Sequence, residues 1–188
     1  VSLVEQDLRL FSDKSILSYH GYEIPPYTPL SPDQHTTASR ISTLHRLQSH
    51  SESSILVISV EALMRRVIPT NLIDQSSELV MAENDCDRDQ LLLTLDNLGY
   101  EQVALVQSIG DYSVRGGIID IYPPAFPETG DTLVEGPIRL DFFGDTIETI
   151  RCFDPISQRS FTSIEEALLL PVHDALLPPE SSMESRQL

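Results

Sequence analysis

The amino-acid sequence predicts an α/β protein built in two successive parts, a parallel α/β layer followed by a mostly antiparallel α+β unit. Three observations predict this. Before residue 75 the apolar segments run helix, strand, helix, strand, helix, the order that builds a parallel layer. A leucine-striped helix with its own start and stop signals covers residues 87–99. Beyond it, strand-like segments with apolar alternation follow one another, some broken by glycine-bearing turns.

Val1, Leu3, Val4, Leu8 and Phe11 lie at helical spacing, so the first element is an amphipathic helix. It is entered mid-element and without a methionine, and the chain reads as a piece of a longer protein. Residues 15–19 form a short strand leading into residues 24–32, whose four prolines forbid regular structure. Asp33 or Thr36 caps a helix carrying Ile41, Leu44 and Leu47. The continuous apolar run at 54–60 predicts a strand buried on both faces, and 61–67 a helix stopped by Pro69. The character changes near residues 74–78. Asp87 with Gln90 three positions on makes a capping-box-like start, Leu91, Leu92, Leu95 and Leu98 make one stripe, and Gly99 supplies the stop. Strands are expected at 103–108, 112–122, 137–143 and 146–153. From Asp174 onward the serines, glutamates and prolines have nothing to bury and are expected to be poorly ordered. The division expected is therefore 1–75, 76–173 and a tail at 174–188.

Composition narrows the function. With 29 acidic against 12 basic residues the formal net charge is -17, a field that repels phosphate backbones and anionic lipid. Lys14 is the sole lysine, so positive charge is carried by arginine, which favours planar, bidentate contacts to carboxylates. Cys86 and Cys152 show no CxxC spacing and read as reduced thiols of a cytoplasmic protein. No apolar run approaches the roughly 20 residues of a membrane span, and no signal peptide pattern opens the chain.

Catalytic signatures are lacking. A P-loop needs a glycine-rich turn ending in lysine, and no glycine precedes Lys14. Gly116-Gly117 does not meet GxGxxG, the five histidines contain no HExxH, and no GxSxG is present. No catalytic, cofactor-binding or metal-binding residue is assigned.

What remains is an arginine-bearing hairpin. Strand alternation at 137–143 places Ile138, Leu140 and Phe142 in the core and Arg139, Asp141 and Phe143 on the outer face, with Gly144-Asp145 as a type II′ turn. An aromatic beside a guanidinium is a pairing enriched in interface hot spots. The plainer reading is an Arg139–Asp141 surface ion pair with Phe143 tucked under a helix. Arg115 falls on the side of Ile119 and Ile121 by strict alternation, and a bulge at Gly116-Gly117 is expected to turn it toward Arg139 and Phe143. Arg151 and Arg159 extend the patch.

Three segments resemble the bacterial transcription-repair coupling factor family in its N-terminal UvrB-like module. They are Ile24-Pro25-Pro26-Tyr27 on to Arg40-Ile41-Ser42-Thr43-Leu44; Ser113-Val114-Arg115-Gly116-Gly117-Ile118-Ile119-Asp120-Ile121-Tyr122-Pro123; and Arg139-Leu140-Asp141-Phe142-Phe143-Gly144-Asp145 through Phe153-Asp154-Pro155 to Gln158-Arg159. The resemblance implies that residues 1–75 belong to a partial, degenerate Rossmann-like nucleotide-binding domain without ATPase activity. It implies that 76–173 form a domain binding UvrA, the damage-recognition subunit of nucleotide excision repair, with Arg115, Arg139 and Phe143 at positions of that contact. In the family a C-terminal domain masks this surface, and other domains bind RNA polymerase and carry a DNA translocase motor that uses ATP and magnesium. A bacterial cytoplasmic location and a monomeric state are expected.

The excinuclease subunit UvrB is similar in the arginine–glycine strand and the hairpin. It carries a P-loop upstream and, in the stretch corresponding to residues 22–40, a long tyrosine-rich hairpin that clamps DNA, where this chain is short and proline-rich. A fragment of that protein with residual nucleotide or DNA binding is the alternative reading. A third is that the acidic surface itself mimics or repels nucleic acid.

Overall fold

The computed structural model describes residues 2–22, 32–49, 53–124, 128–129, 132–133 and 136–173. Nearly all of the proline-rich stretch, Tyr27 included, and the tail 174–188 lie outside them.

Helix α1 (Ser2–Phe11) leads into strand β1 (Ile16–Tyr19). Glu5 joins the two, accepting from the Ser18 hydroxyl at 2.7 Å and from Arg9 one turn on. The Ser18 hydrogen bond, with help from Arg9, holds the Glu5 pKa below the usual glutamate value. Helix α2 (Gln34–Ser49) is capped by Asp33, whose carboxylate accepts from the Thr36 N–H at 2.9 Å and from its hydroxyl at 3.1 Å. Strand β2 (Ile55–Ile58) pairs in parallel with β1, Ile16 opposite Ile55 through Tyr19 opposite Ile58. The helix–strand alternation thus yields the parallel pairing expected. Strand β2 is not buried on both faces, however, since Leu56 is exposed; the sheet holding it has two strands among the described residues.

The helix expected at 61–67 is a single turn, α3 (Val60–Leu63), capped by the Ser59 hydroxyl. Pro69 precedes a helix of its own, α4 (Thr70–Gln75), because a fixed φ and a missing N–H cost nothing just before a first turn. Strand β3 (Glu78–Met81) follows, and then α5 (Arg88–Leu98), where the signals read from sequence are realised. Asp87 accepts the Gln90 N–H at 3.0 Å, and Gly99 closes the helix in the left-handed region at φ 91°.

The remaining strands are β4 (Glu101–Gln102), β5 (Asp111–Arg115), β6 (Ile118–Ile121), β7 (Glu128–Thr129), β8 (Thr132–Leu133), β9 (Ile138–Phe143), β10 (Thr146–Phe153), β11 (Ser160–Ile164) and β12 (Glu166–Leu169). Six form one sheet in the order β11-β10-β9-β6-β5-β4, antiparallel except for β4 beside β5. The strand expected at 103–108 is absent. The Asp111 carboxylate accepts from the N–H groups of Gln107 and Ser108 at 3.0 and 2.8 Å and curls that segment into a turn.

Leu91, Leu95 and Leu98 of α5 share one core with Ile119, Ile121, Ile138, Leu140, Ile150 and Cys152 of the sheet. Each large aliphatic side chain buried there contributes roughly 1.5–3 kcal/mol of transfer free energy. Ala38 of α2 reaches into the same core. A smaller cluster of Ile41, Ile73 and Leu170 fastens α2 and α4 to the segment after β12. Strand β12, unforeseen in the sequence reading, pairs antiparallel with β3 and brings that segment into place. Among the described residues no helix is long and apolar enough to cross a membrane.

Candidate docking face

The core occupies one face of the six-stranded sheet, so the residues at alternate positions stand on the other. Cross-strand register puts Asp120 opposite Arg139, Arg139 opposite Arg151, Asp141 opposite both Ile118 and Thr149, and Phe143 opposite Thr146. Arg115 stands opposite Ile118 and therefore joins this face. It arrives there by a different route from the one expected. Residues 112–122 are not one bulged strand but two strands turning back through Gly116-Gly117. A two-residue turn reverses the chain, so odd-numbered Arg115 shares a face with even-numbered Ile118 and Asp120.

The turn needs its glycines. Gly116 takes φ +58°, and a Cβ at Gly117 would stand 3.0 Å from the Phe142 carbonyl oxygen. Phe142 in turn donates its N–H to the Gly117 carbonyl at 2.7 Å, pinning the turn to the neighbouring strand. Gly144 takes φ +63° in the loop between Phe143 and Thr146, as a type II′ turn requires at its first central position.

Asp120 organises the face. Its carboxylate has no solvent exposure and accepts from Arg139 Nε at 2.6 Å on one oxygen and from Arg139 Nη2 at 3.0 Å on the other. Arg115 Nη2 also donates to it. A carboxylate in a dry site costs several kcal/mol unless paired, and the two guanidiniums meet that cost. Arg139 is itself largely covered, with its guanidinium 4.7 Å from the centroid of the Phe153 ring. The Asp120 hydrogen bonds, with its charge assisting, raise the Arg139 pKa against the opposing effect of burial.

The Arg139–Asp141 ion pair considered from the sequence does not form. Residues two apart on a strand share a face yet stand well apart, so each side chain reaches across to a neighbouring strand. Asp141 accepts from Arg151 Nη2 at 2.6 Å, from its Nε at 3.0 Å and from the Thr149 hydroxyl at 2.8 Å. Nor is Phe143 tucked under a helix: it is 76% exposed at the tip of the β9–β10 hairpin. Arg115 remains half-exposed, and Phe161 of β11 is exposed as well. Arg159 lies exposed beyond β10, its carbonyl accepting the Asp154 N–H at 3.0 Å.

The five residues singled out from the sequence thus gather on one face, in unequal positions. Arg115 and Phe143 are presented to solvent, Arg151 and Asp141 bind each other at its side, and Arg139 is held inside. Sequence reasoning missed Asp120, Phe153 and Gln158, whose carbonyl lies 3.4 Å from Arg139 Nη1. A signal for Asp120 was present, a lone carboxylate inside the apolar run Ile118-Ile119-Asp120-Ile121, because such a group must find partners.

An antiparallel sheet with one face on a leucine helix and the other bearing pinned arginines and a bare phenylalanine is the build of an interaction domain. Residues 80–174 match the family model of the UvrB interaction domain, and the chain belongs to that family. Over nearly its whole length it is also similar to transcription-repair-coupling factors. It is 38% identical to that of Myxococcus xanthus over 166 residues, 88% of this chain and 13% of that protein. It is 33% identical to that of Escherichia coli (strain K12) over 171 residues, 91% of this chain and 14% of that protein. With that of Bacillus subtilis (strain 168) it shares 29% over 178 residues, 95% of this chain and 14% of that protein. The chain therefore spans 13 to 14% of the length of these relatives.

Proposed function

We propose that the chain is a non-catalytic adaptor segment of a transcription-repair coupling factor that docks UvrA through the outer face of its six-stranded sheet. The observation that carries this is Phe143, exposed at a hairpin tip on the same sheet face as arginines whose positions are set by a buried carboxylate. Preorganised arginines and an exposed aromatic on one face are the residue types that interface hot spots favour. Arg115 and Phe143 make the contact, Arg151 flanks it, and Arg139 acts from beneath by holding Asp120. The name of the matched domain and the likeness to coupling factors support UvrA as the partner.

In the longer protein this docking would bring excision repair to stalled RNA polymerase, with a C-terminal domain masking the face until then. Polymerase contact, DNA and the ATP- and magnesium-dependent translocase motor would belong to other domains, in the bacterial cytoplasm. The alternative, an excinuclease fragment with residual nucleotide or DNA affinity, is disfavoured by the likeness to coupling factors over nearly the whole chain and by a net charge of -17 that repels a DNA backbone.

The deciding experiment is titration of the chain against UvrA by calorimetry, beside Arg115→Ala and Phe143→Ala. Each substitution is expected to cost about 2 kcal/mol, some thirtyfold in affinity. Equal affinity in both variants and the parent would remove this face from the interaction.

A further inference from the structure

The α2–β1 region contains a buried cation that the docking face does not involve. Arg40 is 3% exposed, and its guanidinium carbon lies 4.2 Å from the ring centroids of both Tyr19 and Tyr22. Its Nη1 donates to the His20 carbonyl at 2.7 Å, while its Nε is buried and has no hydrogen-bond partner. Among the described residues no carboxylate pairs with it, although the chain holds 29 acidic residues. Arg139, the other largely buried arginine described above, has a buried carboxylate to itself and Arg115. Burial lowers the Arg40 pKa, and the like charge of Arg65 acts in the same direction. Aromatic faces repay part of the cost of a dry guanidinium, and an anion would repay the rest.

Arg40 also lines a cavity of about 330 Å³, shared with Tyr19, Arg66 and an apolar wall of Ile41, Leu44 and Leu72. That volume lies in the range of small-ligand sites, which combine apolar walls with a few convergent polar groups. Arg66 is exposed, so the cavity has one cation in its lining that is dry and one that is wet.

We propose that this cavity binds a small phosphate-class oxyanion, with Arg40 as the buried anchor and Arg66 as the solvent-side cation. Two guanidiniums in one lining suit a doubly charged phosphate better than a single carboxylate, and the guanidinium fork matches its oxygens. The apolar wall leaves room for a flat organic group attached to the phosphate. This assignment rests on the Arg40–Arg66 cavity, involves no P-loop, and is independent of UvrA docking.

The test is titration of the 188-residue chain in a low-salt, phosphate-free buffer with sodium phosphate, ADP and, at matched ionic strength, sodium acetate, read by thermal shift and calorimetry. Saturable binding of phosphate or ADP, with acetate showing only the salt effect, is expected. A tighter response to ADP assigns the phosphate to a nucleotide-sized ligand; an equal response assigns it to the free ion. Arg40→Met is expected to abolish binding and Arg66→Ala to weaken it about tenfold. Should Arg40→Met fail to fold, the exposed Arg66→Ala decides. The proposal is overturned if neither phosphate probe saturates, or if binding is undiminished in the folded variants.

Discussion

Asp120 and Arg139 are cross-strand partners on β6 and β9, and the Arg139 guanidinium donates to both oxygens of a carboxylate that solvent does not reach. Arg115, from the far strand of the adjoining hairpin, donates to the same group. One acidic residue thus fixes two arginines contributed by different strands. An outer face that alternation alone would leave to mobile side chains acquires a set arrangement.

Removing Asp120 should therefore cost far more than removing a surface carboxylate. Asp120→Ala is expected to destabilise the chain by about 3 kcal/mol, because two cations lose a dry partner. Urea denaturation measures this, and a cost under about 1 kcal/mol would mean that the pair behaves as a solvated one. In a double-mutant cycle, Asp120 should couple more strongly to Arg139 than to half-exposed Arg115.

Arg139 and Phe143 should separate stability from docking. Phe143→Ala removes an exposed ring and is expected to change folding stability by under about 0.5 kcal/mol while weakening UvrA binding. Arg139→Ala should lower both, since it strips Asp120 and uncovers Phe153. Unfolding curves beside binding isotherms would show the contrast, and equal stability losses in the two variants would contradict the roles assigned.

The Gly116-Gly117 turn gives a third expectation. Gly116→Ala forces a Cβ into the left-handed region and should cost about 1 kcal/mol. Gly117→Ala meets the Phe142 carbonyl oxygen at 3.0 Å, so the hairpin must shift to admit it. Docking should weaken with Gly117→Ala although Arg115 is untouched. Unchanged affinity would show that the turn does not place Arg115.

Alkaline pH should loosen the core in a defined window. Burial pushes the Cys152 thiol from an ordinary 9.0 to about 11. Burial, followed by the hydrogen bond to Asp96, pushes Tyr112 from 10.0 to about 12. Below pH 9 folded and unfolded states both hold these protons and stability is full. As pH rises through 9 to 12 the unfolded chain releases them first, so stability falls across that window. Urea midpoints from pH 8 to 11.5 would record the decline, and Cys152→Ser should remove its portion between 9 and 11.

Much of the site was visible by residue type. Arg115, Arg139 and Phe143 stood out as arginines and an aromatic in an acidic chain, and alternation placed the latter two on the outer face. Their partners were not visible, because a strand side chain meets the strands beside it and sequence spacing does not say which these are. Arg139 therefore paired with Asp120 rather than Asp141, and Asp141 with Arg151.

The local elements followed from sequence where their signals are themselves local. Helix α5 needs only the Asp87 cap, a leucine stripe and Gly99, and the Gly144 turn needs one positive φ. Strands β3 and β12 carry no comparable signal, and pairing across more than eighty residues creates them. Residue chemistry and short-range geometry thus determined that this acidic chain would present arginine and phenylalanine from a hairpin. Which carboxylate holds the arginines, and which arginine stays buried, was decided by strand order and register, since these alone bring charges from distant residues within hydrogen-bonding reach and out of water.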